Sequence, residues 1–101
     1  MFRIVTSSSP KATNITVDGE LKGERVAAVA FCCKQAIDRG RPVHLKLREV
    51  PNIDERGRAL LCRLVAQGVS LTAAGIYGSH VVGGIRRDNR LPRPQLNEVG
   101  N

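Results

Sequence analysis

VHLKLREVPNIDERGRALLCRLVAQG, residues 43–68, decides the fold of this chain. Val43, Leu45 and Leu47 fall at every second position with His44 and Lys46 between them. That is the period of a strand with one buried face. Pro51 ends the pairing, because it has no N–H to donate. Asp54 is placed to cap a helix by accepting from backbone N–H groups two or three residues on. Leu60, Leu61, Leu64 and Val65 recur at helical spacing. Gly68 stands where a left-handed residue closes a helix. The stretch therefore reads as strand, charged turn, amphipathic helix.

The turn Asp54-Glu55-Arg56-Gly57, with Arg58, is the candidate functional feature. Glu55 suits a helix start, where orphan N–H groups and the dipole make the end positive. Arg56 and Arg58 oppose that dipole, and an anionic group near them, Glu49 or a partner, would answer the mismatch. The bland reading is that both arginines reach into solvent at little cost.

Outward from this centre, Phe2–Val5 predicts a short apolar strand and Thr6–Pro10 a loop. Asn14–Leu21 predicts a second strand, antiparallel to the first because the connection is short. A first helix is expected over Glu24–Arg39, with Val26, Val29, Ala30, Cys33, Ala36 and Ile37 on one face and Gly40 as its stop. Val69–Ala73 predicts the last strand. Gly75 and Gly78 bracket an expected loop at Ile76-Tyr77. Ser79 would cap a short third helix carrying Val81, Val82 and Ile85, weakened by Gly83-Gly84. The expected fold is α/β: a small mixed four-stranded sheet, one edge strand antiparallel and the rest parallel, with three helices. Residues 1–87 form the domain, and residues 88–101 read as a disordered basic, Pro-containing tail.

The chain of 101 residues is short enough to be one domain. Its aromatic residues are Phe2, Phe31 and Tyr77, so the core must come from Val, Leu, Ile and Ala. A net charge of +7 admits nucleic acid, an anionic membrane or an acidic protein as partner. The 12 arginines are spread from Arg3 to Arg93 without a dense run, and stacking aromatics are almost lacking. Both facts argue against nucleic acid. No apolar run approaches the roughly 20 residues of a membrane span. No secretory signal is visible, and Cys32, Cys33 and Cys62 lack metal or disulfide spacing, so a cytoplasmic protein with reduced thiols is expected. His44 and His80 have no third ligand at metal spacing. Cys62 with His80 is a weak nucleophile–base pairing, since Cys62 is mid-helix among apolar neighbours. No catalytic residue, metal or cofactor is assigned.

Three short motifs in order carry a family resemblance: Gly19-Glu20-Leu21 before the first helix, Val50-Pro51-Asn52-Ile53-Asp54 leading into Glu55-Arg56-Gly57 and a Leu-rich helix, and Gly68-Val69-x-Leu71-x-Ala73. Over roughly residues 15–85 the chain resembles the STAS domain of bacterial anti-sigma factor antagonists and of sulfate-transporter tails. The resemblance implies a non-catalytic regulatory interaction domain of a bacterium, acting in transcription regulation. Its partner would be an anti-sigma factor of the kinase-like ATPase type, another STAS protein or a transporter subunit, and the family allows a homodimer. In the antagonists the loop reads Asp-Ser-Ser/Thr-Gly, and the first serine is phosphorylated by the partner kinase. Here Asp54 and Gly57 match, Glu55 stands at the phosphoserine position, and Arg56 replaces the second hydroxyl residue. Glu55 is thus a permanent carboxylate where the family places a phosphate. Lys22 replaces the aspartate usual after Gly-Glu-Leu. Two alternatives stand beside this reading: an anion or nucleotide binder using the helix N-terminus with Arg56 and Arg58, and an accessory STAS subunit of a lipid or anion transporter.

Overall fold

The computed structural model describes residues 2–90, with no side chains described for residues 88–90. The elements follow the order β1 Arg3–Ser8, β2 Thr13–Asp18, α1 Glu24–Asp38, β3 Val43–Glu49, α2 Glu55–Ala66, β4 Ser70–Ala73 and α3 Ile76–Arg90. The sheet order is β1-β2-β3-β4, with β1 antiparallel to β2 and the other pairs parallel. The expected α/β architecture is the one observed.

Sequential strand order has a consequence for the layers. Each crossover steps the same way along the sheet, and crossovers share one hand, so their helices fall on the same face. Burial shows this directly. Thr13, Ile15 and Val17 of β2, Val43, Leu45 and Leu47 of β3, and Leu71 of β4 are buried. Their alternates Asn14, His44, Lys46, Arg48, Ser70 and Thr72 are exposed on the open face. Val29 and Cys33 of α1, Leu60, Leu61 and Leu64 of α2, and Val81, Val82 and Ile85 of α3 complete the core. Each fully buried Leu or Ile contributes roughly 1.5–3 kcal/mol by leaving water.

The helix ends close as their glycines suggest. Gly68, at φ 96, follows the C-cap Gln67 of α2. Its N–H donates to Val65 O and that of Val69 to Leu64 O, both at 3.0 Å, which is the Schellman pairing. No atom lies within 4 Å of a Cβ built on Gly68, so the backbone angle alone excludes a side chain there. Val69 is buried as part of this cap, and the strand proper begins at Ser70.

Three expectations are corrected. First, Thr6, Ser7 and Ser8 are strand, not loop. They pair with Ile15, Asn14 and Thr13, and the turn contracts to residues 9–12, where Ser9 N–H donates to Ala12 O at 2.8 Å. Past Ile4 the edge strand is exposed on both faces and needs no apolar alternation there, so the polar composition of Thr6 to Ser8 hid it. Second, β2 ends at Asp18, and Leu21 makes an isolated parallel bridge to Ile53. Third, α3 begins at Ile76, so Tyr77 and Gly78 are helical. Ser79 is not its cap: its N–H bonds Gly75 O at 3.1 Å as part of the first turn, and its hydroxyl donates to Ala73 O at 3.4 Å. The helix also runs through Arg86 to Arg90, past the domain boundary expected at residue 87. The rest of the expected tail, residues 91–101, lies outside the described residues.

The two sheet edges differ. On β4 the Arg86 guanidinium donates to Leu71 O, so a side chain of α3 covers an edge carbonyl. At β1, Ile4 and the preceding Phe2 pack against the core, and Arg3 reaches Asp18 at 3.4 Å.

Gly83 sits inside α3, and a Cβ built there meets nothing within 4 Å. Gly83→Ala should therefore stabilise the domain by about 0.5–1 kcal/mol through helix propensity alone. Urea unfolding checks this: the midpoint should rise with an unchanged slope, and a fall would mean that α3 is not helical at this position.

Candidate functional site

The site is built where the loop after β2 meets the loop after β3. Leu21 N–H donates to Asn52 O at 2.9 Å, and Asp54 N–H donates to Leu21 O at 3.1 Å. These two bonds extend the parallel register of β2 and β3 beyond the strands proper. They deliver Asp54 to the start of α2 and Gly23 to the start of α1.

Asp54 is the expected N-cap of α2. Its Oδ1 accepts from Gly57 N–H at 2.7 Å, while its other oxygen, Oδ2, accepts from Gly23 N–H at 3.0 Å. One carboxylate thus serves the N-termini of two helices. At the start of α1 no side chain of the N-cap residue, Gly23, is available for this, so a residue 31 positions later supplies it. Gly23 N–H, then Gly57 N–H, hold the Asp54 carboxyl below the ordinary aspartate value of 3.8, with the charge of Arg56 acting in the same direction. Asp54 is thus an anionic neighbour of Arg56, though the two form no ion pair.

Gly57 is buried. A Cβ there would lie 2.8 Å from Leu21 O and 2.9 Å from Ile53 Cγ2. One of these is backbone held by the Leu21–Ile53 bridge, so Gly57 is a close-approach glycine of the clasp. Tyr77 closes the far side, its hydroxyl oxygen accepting from Ile53 N–H at 3.2 Å.

The five residues singled out from sequence therefore divide. Asp54 and Gly57 are turned inward and spent on the clasp. Glu55 and Arg56 are exposed on the first turn of α2. Arg58 is also exposed, and its guanidinium lies beside Gly84 of α3, where a Cβ would come within 3.5 Å of Nη2. The outward-facing charged part of the turn is thus Glu55 and Arg56, with Arg58 directed toward α3.

Sequence reasoning passed over the groove at the carboxyl ends of β2, β3 and β4. It has a volume of about 500 Å³ and is lined by Val50, Pro51, Ala74, Ile76 and Tyr77 with the Asp18–Arg48 pair at one end. Ile76 is 92% exposed there. Arg48 Nε donates to Asp18 Oδ1 at 2.9 Å, a second nitrogen of the guanidinium bonds Oδ2, and Arg3 joins from β1. The Arg48 hydrogen bonds hold the Asp18 carboxyl below its ordinary value of 3.8. Together with Arg3, the pair links three strands across the open face.

Burial, helped by neighbouring Cys32, pushes the Cys33 thiol up to about 11, as befits an apolar filler. Among the described residues no group of three or more His, Cys, Asp and Glu side chains could hold a metal ion. No helix among them is long and apolar enough to cross a membrane.

No protein-family model and no curated protein matches the chain. Among solved structures it is similar to Mglu, with a TM-score of 0.56 and 24% identity over 71% of this chain and 19% of that one. This chain spans about a fifth of the length of Mglu. That likeness bears on the fold alone.

Gly57→Ala should destabilise the domain by about 1–3 kcal/mol, the range for overpacking against atoms that cannot move freely. Denaturant unfolding checks it. Unchanged stability would show that the clasp can open by several tenths of an ångström without loss.

Proposed function

We propose that this chain is a non-catalytic regulatory interaction domain of the STAS type, which meets a protein partner through Glu55, Arg56 and the exposed first turn of α2. One observation supports this most: the turn is fixed from within, by Asp54 and Gly57, while the two charged residues between them face solvent. Order there comes from backbone bonds to Leu21 and Gly23, so little conformational freedom is left to lose when a partner docks. Glu55 occupies the position of the family's switch serine. With no hydroxyl there, the charge is permanent, and the domain would hold one binding state where an antagonist alternates between two.

The partner classes that fit are an anti-sigma factor of the kinase-like ATPase type, another STAS protein, and a transporter subunit. A cytoplasmic location goes with each of them. The anion-binding alternative is less well supported. A phosphate at the start of α2 would compete with the Asp54 carboxylate, which already accepts the Gly57 N–H, and would meet its negative charge.

Binding to a purified anti-sigma kinase-like ATPase of the same genome tests the proposal. Arg56→Glu should weaken the complex about tenfold or more, equivalent to roughly 1.4 kcal/mol. The Glu55→Ser variant should become a substrate for phosphorylation, read by mass spectrometry, where the unaltered chain is not modified at that position. Equal affinity of Arg56→Glu and the unaltered chain would remove the turn as the contact surface.

A further inference from the structure

α1 and α2 lie side by side, and a solvent-open groove runs between their outward sides. Its first half has a volume of about 410 Å³, floored by Gly23, Ala27, Ala30 and Ala59 and edged by Arg56 and Arg63. It continues past Ala30 and Arg63 into a second stretch of about 380 Å³ toward Ile37, Leu64 and Gln67. Along α2 the groove spans residues 56–67, roughly 17 Å at 1.5 Å per residue, or about three helical turns. Phe31, on the same side of α1 as Ala27, is 62% exposed.

The charge on the groove is one-sided. Lys34 is paired with Asp38 at 3.3 Å. Arg56 and Arg63 make no ion pair with any described residue. They stand seven positions apart, two turns of α2, on one wall. A floor of glycine and alanine lets a third helix approach closely, and the two arginines ask for carboxylates two turns apart on its flank. A second copy of this chain would bring the same cations to the same groove at a net charge of +7, which disfavours self-association there.

We infer that the α1–α2 groove is a docking site for an acidic amphipathic helix of a partner protein, about three turns long, seated on Ala27, Ala30 and Ala59 and held by Arg56 and Arg63. The inference shares Arg56 with the proposed turn surface but does not depend on the family reading. The occupied surface would extend well beyond the turn, along the whole of α2.

The test uses the full chain, isotopically labelled, and two synthetic stapled helical peptides. One carries Leu at i, i+3, i+4 and i+7 flanked by Glu; the other has Lys in place of every Glu. The acidic peptide should move the amide signals of Ala27, Ala30, Phe31, Ala59 and Arg63, with a Kd below about 100 µM at low salt. Ala27→Trp, which obstructs the groove, and Arg63→Glu should each weaken it about tenfold or more, while the Lys peptide should not bind. Size-exclusion and light scattering should show no self-association that Ala27→Trp abolishes. The inference is overturned if neither peptide binds, if both bind alike, or if a self-association sensitive to Ala27→Trp appears. It is overturned equally if anionic phosphatidylglycerol vesicles, and not the peptide, compete for Arg63. Signals moving only at Glu55 and Arg58 would overturn the groove and leave the turn proposal standing. Loss of ATPase binding in Arg56→Glu with no groove response to the acidic peptide would separate the two in the same way.

Discussion

The Asp54 carboxylate is shared between two helices, and the rest of the structure is arranged around that sharing. Its two oxygens accept from Gly57 N–H in α2 and Gly23 N–H at the entry to α1. A helix start has N–H groups without partners and a positive end to its dipole. Two such ends brought together would repel and strand their donors. A single negative group between them answers both. The arrangement then requires the chain after β2 to pass close to the chain before α2. The Leu21–Ile53 bridge provides that approach, and it succeeds because Gly57 has no side chain to place against Leu21 O.

This constraint explains how the surface is divided. The residues that build the clasp are withdrawn from solvent or committed to internal bonds. The residues interleaved with them, Glu55 and Arg56, are pushed outward on a rigid first turn. Fixing the starts of α1 and α2 side by side also creates the groove between them, because Ala27 and Ala30 on α1 and Ala59 on α2 leave its floor shallowly filled. The proposed contact surface and the inferred docking groove are therefore both consequences of one carboxylate's geometry, and they share Arg56.

Much of the fold was legible in the sequence, for physical reasons that can be named. Val43, Leu45 and Leu47 declare a one-sided strand because side chains alternate across a sheet. Asp54 announces a cap because a short acceptor before an amphipathic run has few other uses. Gly68 marks a helix end because the left-handed turn excludes most side chains. What stayed hidden was long-range or context-dependent. Nothing local says that Asp54 also serves Gly23, 31 residues away. Thr6 to Ser8 look like a loop, since an edge strand bare on both faces leaves no apolar pattern. Gly75 and Gly78 look like breakers on either side of Ile76-Tyr77, yet Tyr77 is held by Ile53 N–H and α3 starts there. Of the site, the turn was legible by residue. The inward use of Asp54 and Gly57, and the pull of Arg58 toward α3, were not.

The most direct measurement is an NMR titration of the Asp54 side-chain carboxyl carbon, followed together with the Gly23 and Gly57 amide protons. If one carboxylate holds both helix starts, its midpoint lies below 3.8 and both amides shift with that same midpoint. The sign follows for stability: a depressed carboxyl contributes fully above about pH 4 and loses that contribution as the pH falls through its folded value. A midpoint at or above 3.8, or a Gly23 amide that ignores the titration while Gly57 follows it, would show that Asp54 caps α2 alone and that the two helices are not joined through it.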